Sequence, residues 1–119
     1  MDYKSTITEF EVQSFVYQHL QQRLPANHIV RGEYKFSKKS LRSSSTGALP
    51  GCRPDISIFY HAPDGPQLLC VIEIKKTQDG ESTKQGQRYS QLLNVPCIYI
   101  RGMEMAKHAF DLVHPYLRF

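Results

Sequence analysis

The stretch LLCVIEIKK, residues 68–76, places three charged side chains, Glu73, Lys75 and Lys76, at the end of an apolar run. Its apolar residues fill both alternating positions, which is typical of a central strand covered on both faces. Because alternate side chains of a strand share a face, Glu73 and Lys75 point to one side while Ile72 and Ile74 point to the other. Burying an isolated charge is costly, so such groups are kept where they are paired, bound to a metal or used in function. For this stretch alone, an ion pair at the strand end is the simpler interpretation.

A second acid is brought to the same region by RPDISIFY, residues 53–60. This segment is rich in β-forming residues, and the turn sequence PDG at 63–65 separates it from the first stretch. We predict a β-hairpin with a connection of about five to seven residues. Counting outward from a turn centred near Gly65 makes Asp55 and Glu73 near neighbours across the two strands.

Two carboxylates held this close repel each other unless a cation lies between them. A hard divalent cation is the natural partner of carboxylate oxygens, and Mg²⁺ usually takes only one or two protein carboxylates together with phosphate oxygens and water. The pair Asp55 and Glu73 therefore predicts a magnesium site, with manganese as the expected substitute.

The remaining elements extend outward from this hairpin. The apolar spacing predicts a first helix over Thr8–Leu24 that ends at Pro25, and a strand within HIVRGEYKF, residues 28–36. A polar helix within 77–93, a short strand at 96–100 and a last helix from Met103 to the end follow, and Pro115 is expected to loosen the last turn of this helix. The predicted order is α-β-β-β-α-β-α, in one α/β layered domain spanning residues 1–119.

Composition excludes several classes of protein. The chain has 119 residues, 40% hydrophobic and 22% charged, a net charge of +4 and three cysteines scattered singly. This pattern suggests neither a disulfide framework nor a zinc site, and the five histidines lack metal-ligand spacing. No apolar stretch approaches the roughly 20 residues that span a bilayer, and the start lacks a secretory segment, so a cytoplasmic protein without membrane contact is expected.

Basic residues concentrate between Tyr34 and Pro54, where five of them occur without an acid. The sequence predicts a flexible basic loop at about residues 38–53. Such a loop is either a solvated linker or a segment that closes over nucleic acid.

The motif RPD followed by EIK, with 18 residues from Asp55 to Glu73, resembles that of the PD-(D/E)XK nuclease superfamily. The resemblance covers nearly the whole chain, because the element order is also similar to that of the family. It implies a restriction-endonuclease-like core, with a central mixed sheet of about four strands flanked by helices. The spacing Gln85 to Tyr89 is similar to the QxxxY element of RecB-like and type I restriction nuclease domains, and Holliday-junction resolvases are a further comparison.

The resemblance also implies roles for individual residues. Asp55 and Glu73, joined by Glu9 from the first helix, would hold one or two magnesium ions, with Glu11 as the alternative helix acid. Lys75 would orient the attacking water or neutralise charge on the phosphate, and Gln85 would hold a water or phosphate oxygen. Contacts to nucleic acid are assigned to Arg53, Lys76, Lys84, Arg88, Tyr89, Lys38, Lys39 and Arg42, although Tyr89 also fits a core position.

The expected activity is that of a metal-dependent deoxyribonuclease, of endonuclease type, that hydrolyses phosphodiester bonds with a metal-activated water. The small size suggests a homodimer or a subunit of a larger complex. The alternative is a nucleic-acid-binding or protein-interaction module on the same fold that does not cleave. An unrelated α/β domain with a chance ion pair is the third interpretation.

Overall fold

The computed structural model describes residues 8–34, 53–75 and 83–119. For residues 83–86 it describes the backbone and not the side chains. The helices and strands in chain order are α1 (Glu9–Arg23), β1 (His28–Gly32), β2 (Ile56–Ala62), β3 (Gly65–Lys75), α2 (Thr83–Leu93), β4 (Cys97–Arg101), α3 (Met103–Ala106), α4 (Ala109–Val113) and a 3₁₀ turn (His114–Tyr116).

The strands form one mixed sheet in the order β1-β2-β3-β4. β1, β2 and β3 are antiparallel neighbours, whereas β3 and β4 run parallel and are connected through α2. The predicted α/β class and the four-stranded mixed sheet flanked by helices are thus confirmed. As expected for LLCVIEIKK, β3 is an interior strand, and its residues from Leu69 to Ile74 are all buried.

Two hydrophobic clusters cover the two faces of the sheet. The larger lies under α1, α3 and α4, and Ile72 and Ile74 of β3 belong to it. The smaller consists of Val71 and Tyr89, with partly buried apolar residues from α2 and the neighbouring strands around them. Because the side chains of a strand alternate between faces, Glu73 and Lys75 lie on the side of the smaller cluster, where α2 packs.

The first helix begins at a capping box. Thr8 accepts a hydrogen bond from the backbone N–H of Glu11, and the Glu11 carboxylate accepts one from the backbone of Thr8. These bonds satisfy two of the donors that every helix start leaves without partners. The helix ends as predicted before Pro25, with Leu24 as the capping residue.

Replacing Thr8 by alanine is expected to lower the free energy of unfolding by about 1 kcal/mol, because the cap hydrogen bond is lost. Thr8→Ser retains the hydroxyl and is the matched control, with a change below about 0.5 kcal/mol. Urea unfolding followed by circular dichroism measures both. An equal decrease in the free energy of unfolding in the two variants would show that the hydroxyl does not stabilise α1.

The single helix predicted from Met103 to the end is wrong. The α-helical ladder is interrupted at His108, which has φ −106° and ψ 18° and whose N–H donates to the Met105 carbonyl three residues back. A 3₁₀ turn containing Pro115 follows α4, because proline cannot donate to a helical ladder. The observed order therefore differs from α-β-β-β-α-β-α in its last part.

Several assigned residues lie outside the described part of the chain. These are Lys38, Lys39, Arg42 and Lys76, the basic loop except Arg53, and the side chains of Lys84 and Gln85. Among the described helices, none is long and apolar enough to cross a membrane.

Candidate functional site

The turn between β2 and β3 is shorter than the sequence suggested. Ala62 pairs with Gly65, so only Pro63 and Asp64 connect the two strands. Gly65 has φ 124°, a conformation that residues with a side chain rarely adopt. The expected connection of five to seven residues is therefore wrong, because the ladder continues up to the PDG turn itself.

A β-bulge sets the register that brings the two acids together. The ladder runs from the turn to Phe59 and then shifts by one residue, so that Ile56 pairs with Ile72. Extending this register by one pair places Asp55 opposite Glu73. Without the shift, Asp55 would face Ile72 and lie on the opposite side of the sheet from Glu73, because a one-residue slip exchanges the faces.

The two carboxyl groups are in direct contact at this position. The backbone N–H of Ile74 donates to Asp55 Oδ2 at 2.7 Å, and the side chains of Asp55 and Glu73 hydrogen-bond to each other. Glu73 is only 4% exposed. Within the described residues, its Oε1 is buried without any hydrogen-bond partner, which is costly for a carboxylate oxygen.

Burial and the neighbouring charge make this pair difficult to ionise. Burial, and then the Asp55 carboxylate, raise the pKa of Glu73 to about 8. The pKa of Asp55 is also raised by burial, although the hydrogen bond from the Ile74 N–H opposes the shift. Without a cation, the pair therefore retains a proton close to neutral pH.

The chemistry of the pair fits a hard divalent cation. Two adjacent carboxylates, one with a buried oxygen that lacks a partner, are the oxygen ligands that Mg²⁺ prefers. No group of three or more His, Cys, Asp and Glu side chains is placed to hold a metal among the described residues. The site thus offers one or two protein carboxylates, and substrate oxygens and water would complete the coordination.

The two candidate acids of α1 are placed differently. Glu11 belongs to the capping box with Thr8. Glu9 is exposed, and its charge raises the pKa of Asp55, so it lies within electrostatic range of the pair. Of the two, Glu9 is the acid whose charge reaches the pair, but it does not form a three-ligand group with Asp55 and Glu73 among the described residues.

The lysine of the EIK motif lies at the end of β3. Lys75 is partly buried, and its charge lowers the pKa of both Asp55 and Glu73. The backbone N–H of Gly102 donates to the Lys75 carbonyl at 2.8 Å, which fixes the strand end against the residue after β4. An ammonium group is therefore held beside the paired acids.

The residues assigned on α2 and before β2 are divided between core and surface. Tyr89 is buried against Val71, and its hydroxyl donates to the Arg53 carbonyl at 3.5 Å. It thus occupies the core position that the sequence left open for it, and it ties α2 to the RPD segment. The side chains of Arg53 and Arg88 are exposed and able to reach a ligand.

Gln13 was missed by the sequence reasoning. Its Nε2 donates to the Asp55 carbonyl at 3.2 Å and to Glu33 Oε2 at 3.4 Å. The backbone N–H of Glu33 donates to the same Asp55 carbonyl at 2.8 Å, from a residue with φ 51°. Gln13 therefore fastens α1 to the start of β2 beside the candidate site, and no local sequence signal indicates this.

Replacing Gln13 by alanine is expected to cost about 1 kcal/mol of unfolding free energy, because a part-buried hydrogen bond to the Asp55 carbonyl is lost. Gln18→Ala, an exposed glutamine on the same helix, is the matched control, with a change below about 0.5 kcal/mol. Chemical denaturation measures both. A cost for Gln13→Ala no larger than that of Gln18→Ala would contradict the fastening role.

Two residues of β4 were also missed. In the parallel register, Tyr99 lies next to Glu73 and Arg101 lies next to Lys75. The Arg101 guanidinium is 5.1 Å from the centre of the Tyr99 ring, within the range of a cation–π contact. The alternation in CIYIR predicts that Tyr99 and Arg101 share a face, but only the register shows that they share it with the acids.

The two described cysteines are not reactive nucleophiles. Burial raises the pKa of both the Cys70 and the Cys97 thiol to about 12. Both groups are therefore protonated near neutral pH, which suits small core residues.

No family model, curated protein or solved structure matches this chain.

Proposed function

We propose that this chain is a metal-dependent deoxyribonuclease of endonuclease type, with a PD-(D/E)XK site on a restriction-endonuclease-like core. The observation that carries the proposal is the pair formed by buried Glu73 and partly buried Asp55, which share one sheet face and leave Glu73 Oε1 without a partner among the described residues. A cation is the partner that satisfies two adjacent carboxylates.

Asp55 and Glu73 would hold the metal, and Glu9 on α1 would act on it through its charge rather than as a third direct ligand, because the three described acids are not placed as one ligand group. When bound, Mg²⁺ or Mn²⁺ polarises a phosphate oxygen and lowers the pKa of a bound water. The bulge in the hairpin is required for this site, because it places both acids on the same face of the sheet. The N–H of Ile74 holds the Asp55 carboxylate in position at 2.7 Å.

Lys75 would orient the attacking water or neutralise the charge that develops on the phosphate. Its ammonium is close enough to lower the pKa of both acids, so it also faces a substrate bound at them. A preorganised charge of this kind acts in the transition state without the reorganisation that water requires. Gln85, one helical turn before Tyr89, is proposed to hold a water or phosphate oxygen.

Contacts to the nucleic-acid backbone are proposed for basic residues around the motif. Arg53 and Arg88 are exposed, and Lys38, Lys39, Arg42, Lys76 and Lys84 are proposed with them on sequence alone. Phosphate contacts of this kind position a substrate without reading its sequence. The small chain favours action as a homodimer or as a subunit of a larger complex.

Cleavage of a DNA panel tests the proposal. Plasmid, linear duplex, single-stranded and branched DNA would be incubated with the protein and Mg²⁺, Mn²⁺ or EDTA. We expect cleavage of at least one substrate that requires the metal and is lost in Asp55→Asn. Binding without cleavage of any substrate would support instead the non-cleaving nucleic-acid module on the same fold.

A further inference from the structure

An open cleft of about 280 Å³ lies beside the candidate site, between α2 and β4. Two glutamines, a serine, a cysteine and a tyrosine line it: Gln87, Ser90, Gln91, Cys97 and Tyr99. The site described above uses none of the α2 residues in this cleft.

The register connects the cleft to the paired acids. Tyr99 is the direct neighbour of Glu73 in the parallel ladder, and neighbouring strands lie about 4.8 Å apart. Side chains at paired positions of a sheet point to the same face, so the Tyr99 ring and the Glu73 carboxyl emerge side by side. A group bound in the cleft therefore lies next to the acids.

A cation follows Tyr99 on the same face of β4. Arg101 is next to Lys75 in the ladder, and its guanidinium is 5.1 Å from the centre of the Tyr99 ring. Stacking on an aromatic ring restricts the guanidinium, which leaves less conformational entropy to lose when it contacts an anion. Along this face of β4, Tyr99, which lines the cleft, is thus followed by Arg101, and the motif lysine lies beside Arg101 on β3.

We propose that the cleft with Tyr99 and Arg101 is a subsite for one unpaired nucleotide adjacent to the phosphate bound at Asp55 and Glu73. This inference rests on the proposed nuclease function and names its substrate class: nucleic acid that is single-stranded or branched at the point of cleavage. Arg101 contacts the backbone phosphate, and Tyr99 contacts the base.

The chemistry of the lining favours a nucleobase. The amides of Gln87 and Gln91 both donate and accept hydrogen bonds, as recognition of a base edge requires. An aromatic ring with a neighbouring arginine is the usual combination for binding single strands, because every base has a face that stacks.

The size of the cleft is sufficient for a single base. Its volume of about 280 Å³ is just below the roughly 300–1,000 Å³ of pockets for drug-sized ligands. A nucleotide within a duplex would have to leave the base stack, which costs roughly a few kcal/mol. The cost is lowest for a nucleotide that is already unpaired.

Binding measurements with two variants test the subsite. Fluorescence anisotropy would give Kd values for a labelled single strand and for its duplex, with Mg²⁺ and in a Lys75→Ala background that slows turnover. Tyr99→Leu removes the stacking ring, and Arg101→Gln removes the phosphate contact. The matched control is Arg23→Gln, an exposed arginine at the end of α1 with the same change of charge.

We expect Tyr99→Leu to weaken single-strand binding by about 5- to 100-fold, since stacking contributes about 1–3 kcal/mol per base. Arg101→Gln should weaken it by about 3- to 10-fold and reduce the salt slope by about 0.7, as loss of one phosphate contact on a single strand predicts. Arg23→Gln should change it by less than about twofold. Thermal unfolding of each variant would show that the fold is retained.

The outcomes separate the subsite from the nuclease. Equal Kd values for Arg101→Gln, Tyr99→Leu and Arg23→Gln, with metal-dependent cleavage by the wild type, would overturn the subsite and leave the nuclease. Selective weakening in the two β4 variants, with no cleavage by the wild type, would support the subsite and overturn the nuclease. No binding of single strands by the parent protein would overturn the subsite.

Discussion

Replacing Lys75 by alanine is expected to lower the rate of DNA cleavage by about 10²–10⁴-fold, the usual contribution of a positioned proton-transfer or charge-stabilising group. The ammonium lies at the end of β3 beside Asp55 and Glu73, where water and phosphate would be bound. Since the two carboxylates remain, magnesium binding should persist. Single-turnover cleavage of the preferred substrate measures the rate, and titration calorimetry measures the metal.

Lys107→Ala is the matched control for the loss of one lysine. Lys107 is exposed after α3 and pairs with Glu104 at 3.4 Å, away from the candidate site. Its substitution should change the cleavage rate by less than about threefold, because a surface ion pair contributes little. A rate unchanged in Lys75→Ala, or an equal fall in both variants, would remove Lys75 from the proposed chemistry.

The second large effect is a loss of stability with rising pH in metal-free buffer. The pKa of Glu73 is raised to about 8 in the folded protein, so between pH 4.5 and 8 the folded state retains a proton that the unfolded chain releases. The stability that this proton provides is complete below about pH 4.5 and is lost as the pH rises through 8. One pKa unit corresponds to about 1.4 kcal/mol, so the shift from 4.5 to about 8 sets an upper limit of about 5 kcal/mol, and a decrease on the order of a few kcal/mol is expected.

Glu73→Gln identifies the source of this decrease. The amide keeps the shape of the side chain and does not ionise, so the variant should lose less stability than the wild type between pH 4.5 and 8. Urea unfolding in EDTA at several pH values gives the comparison. Glu104→Gln removes an exposed carboxylate and should leave the wild-type slope unchanged. Parallel curves for the wild type and Glu73→Gln would contradict the raised pKa.

The order and type of most elements were predictable from local patterns. The apolar run before Glu73 predicted the interior strand, and Pro25 predicted the end of α1. The C-terminal segment was predictable only in part. Pro115 predicted the altered last turn, but the spacing from Met103 onward is helical and does not indicate the interruption at His108, which appears in its backbone angles and in its hydrogen bond to Met105.

The candidate site was predictable to the level of neighbouring acids. The turn sequence and strand alternation placed Asp55 near Glu73, but the turn length and the bulge, which together fix their common face, have no distinct sequence signal. Two differences from the prediction cancel each other. The turn is shorter than expected, but the bulge adds one residue to β3, so the two acids are still adjacent. The contributions of Gln13 and Arg101 depend on contacts between elements far apart in the chain, which local patterns do not specify.

Titration of Mg²⁺ into the wild-type protein and into Glu73→Gln at pH 7.5 shows whether a divalent cation is the partner of the paired carboxylates. Calorimetry, together with the shift in melting temperature, reports binding without requiring a substrate. The wild type should bind Mg²⁺ with release of a proton and gain thermal stability, while Glu73→Gln should bind at least about tenfold more weakly. Equal binding by both proteins, or none by either, would contradict a metal site at this position and leave Asp55 and Glu73 as a proton-sharing pair.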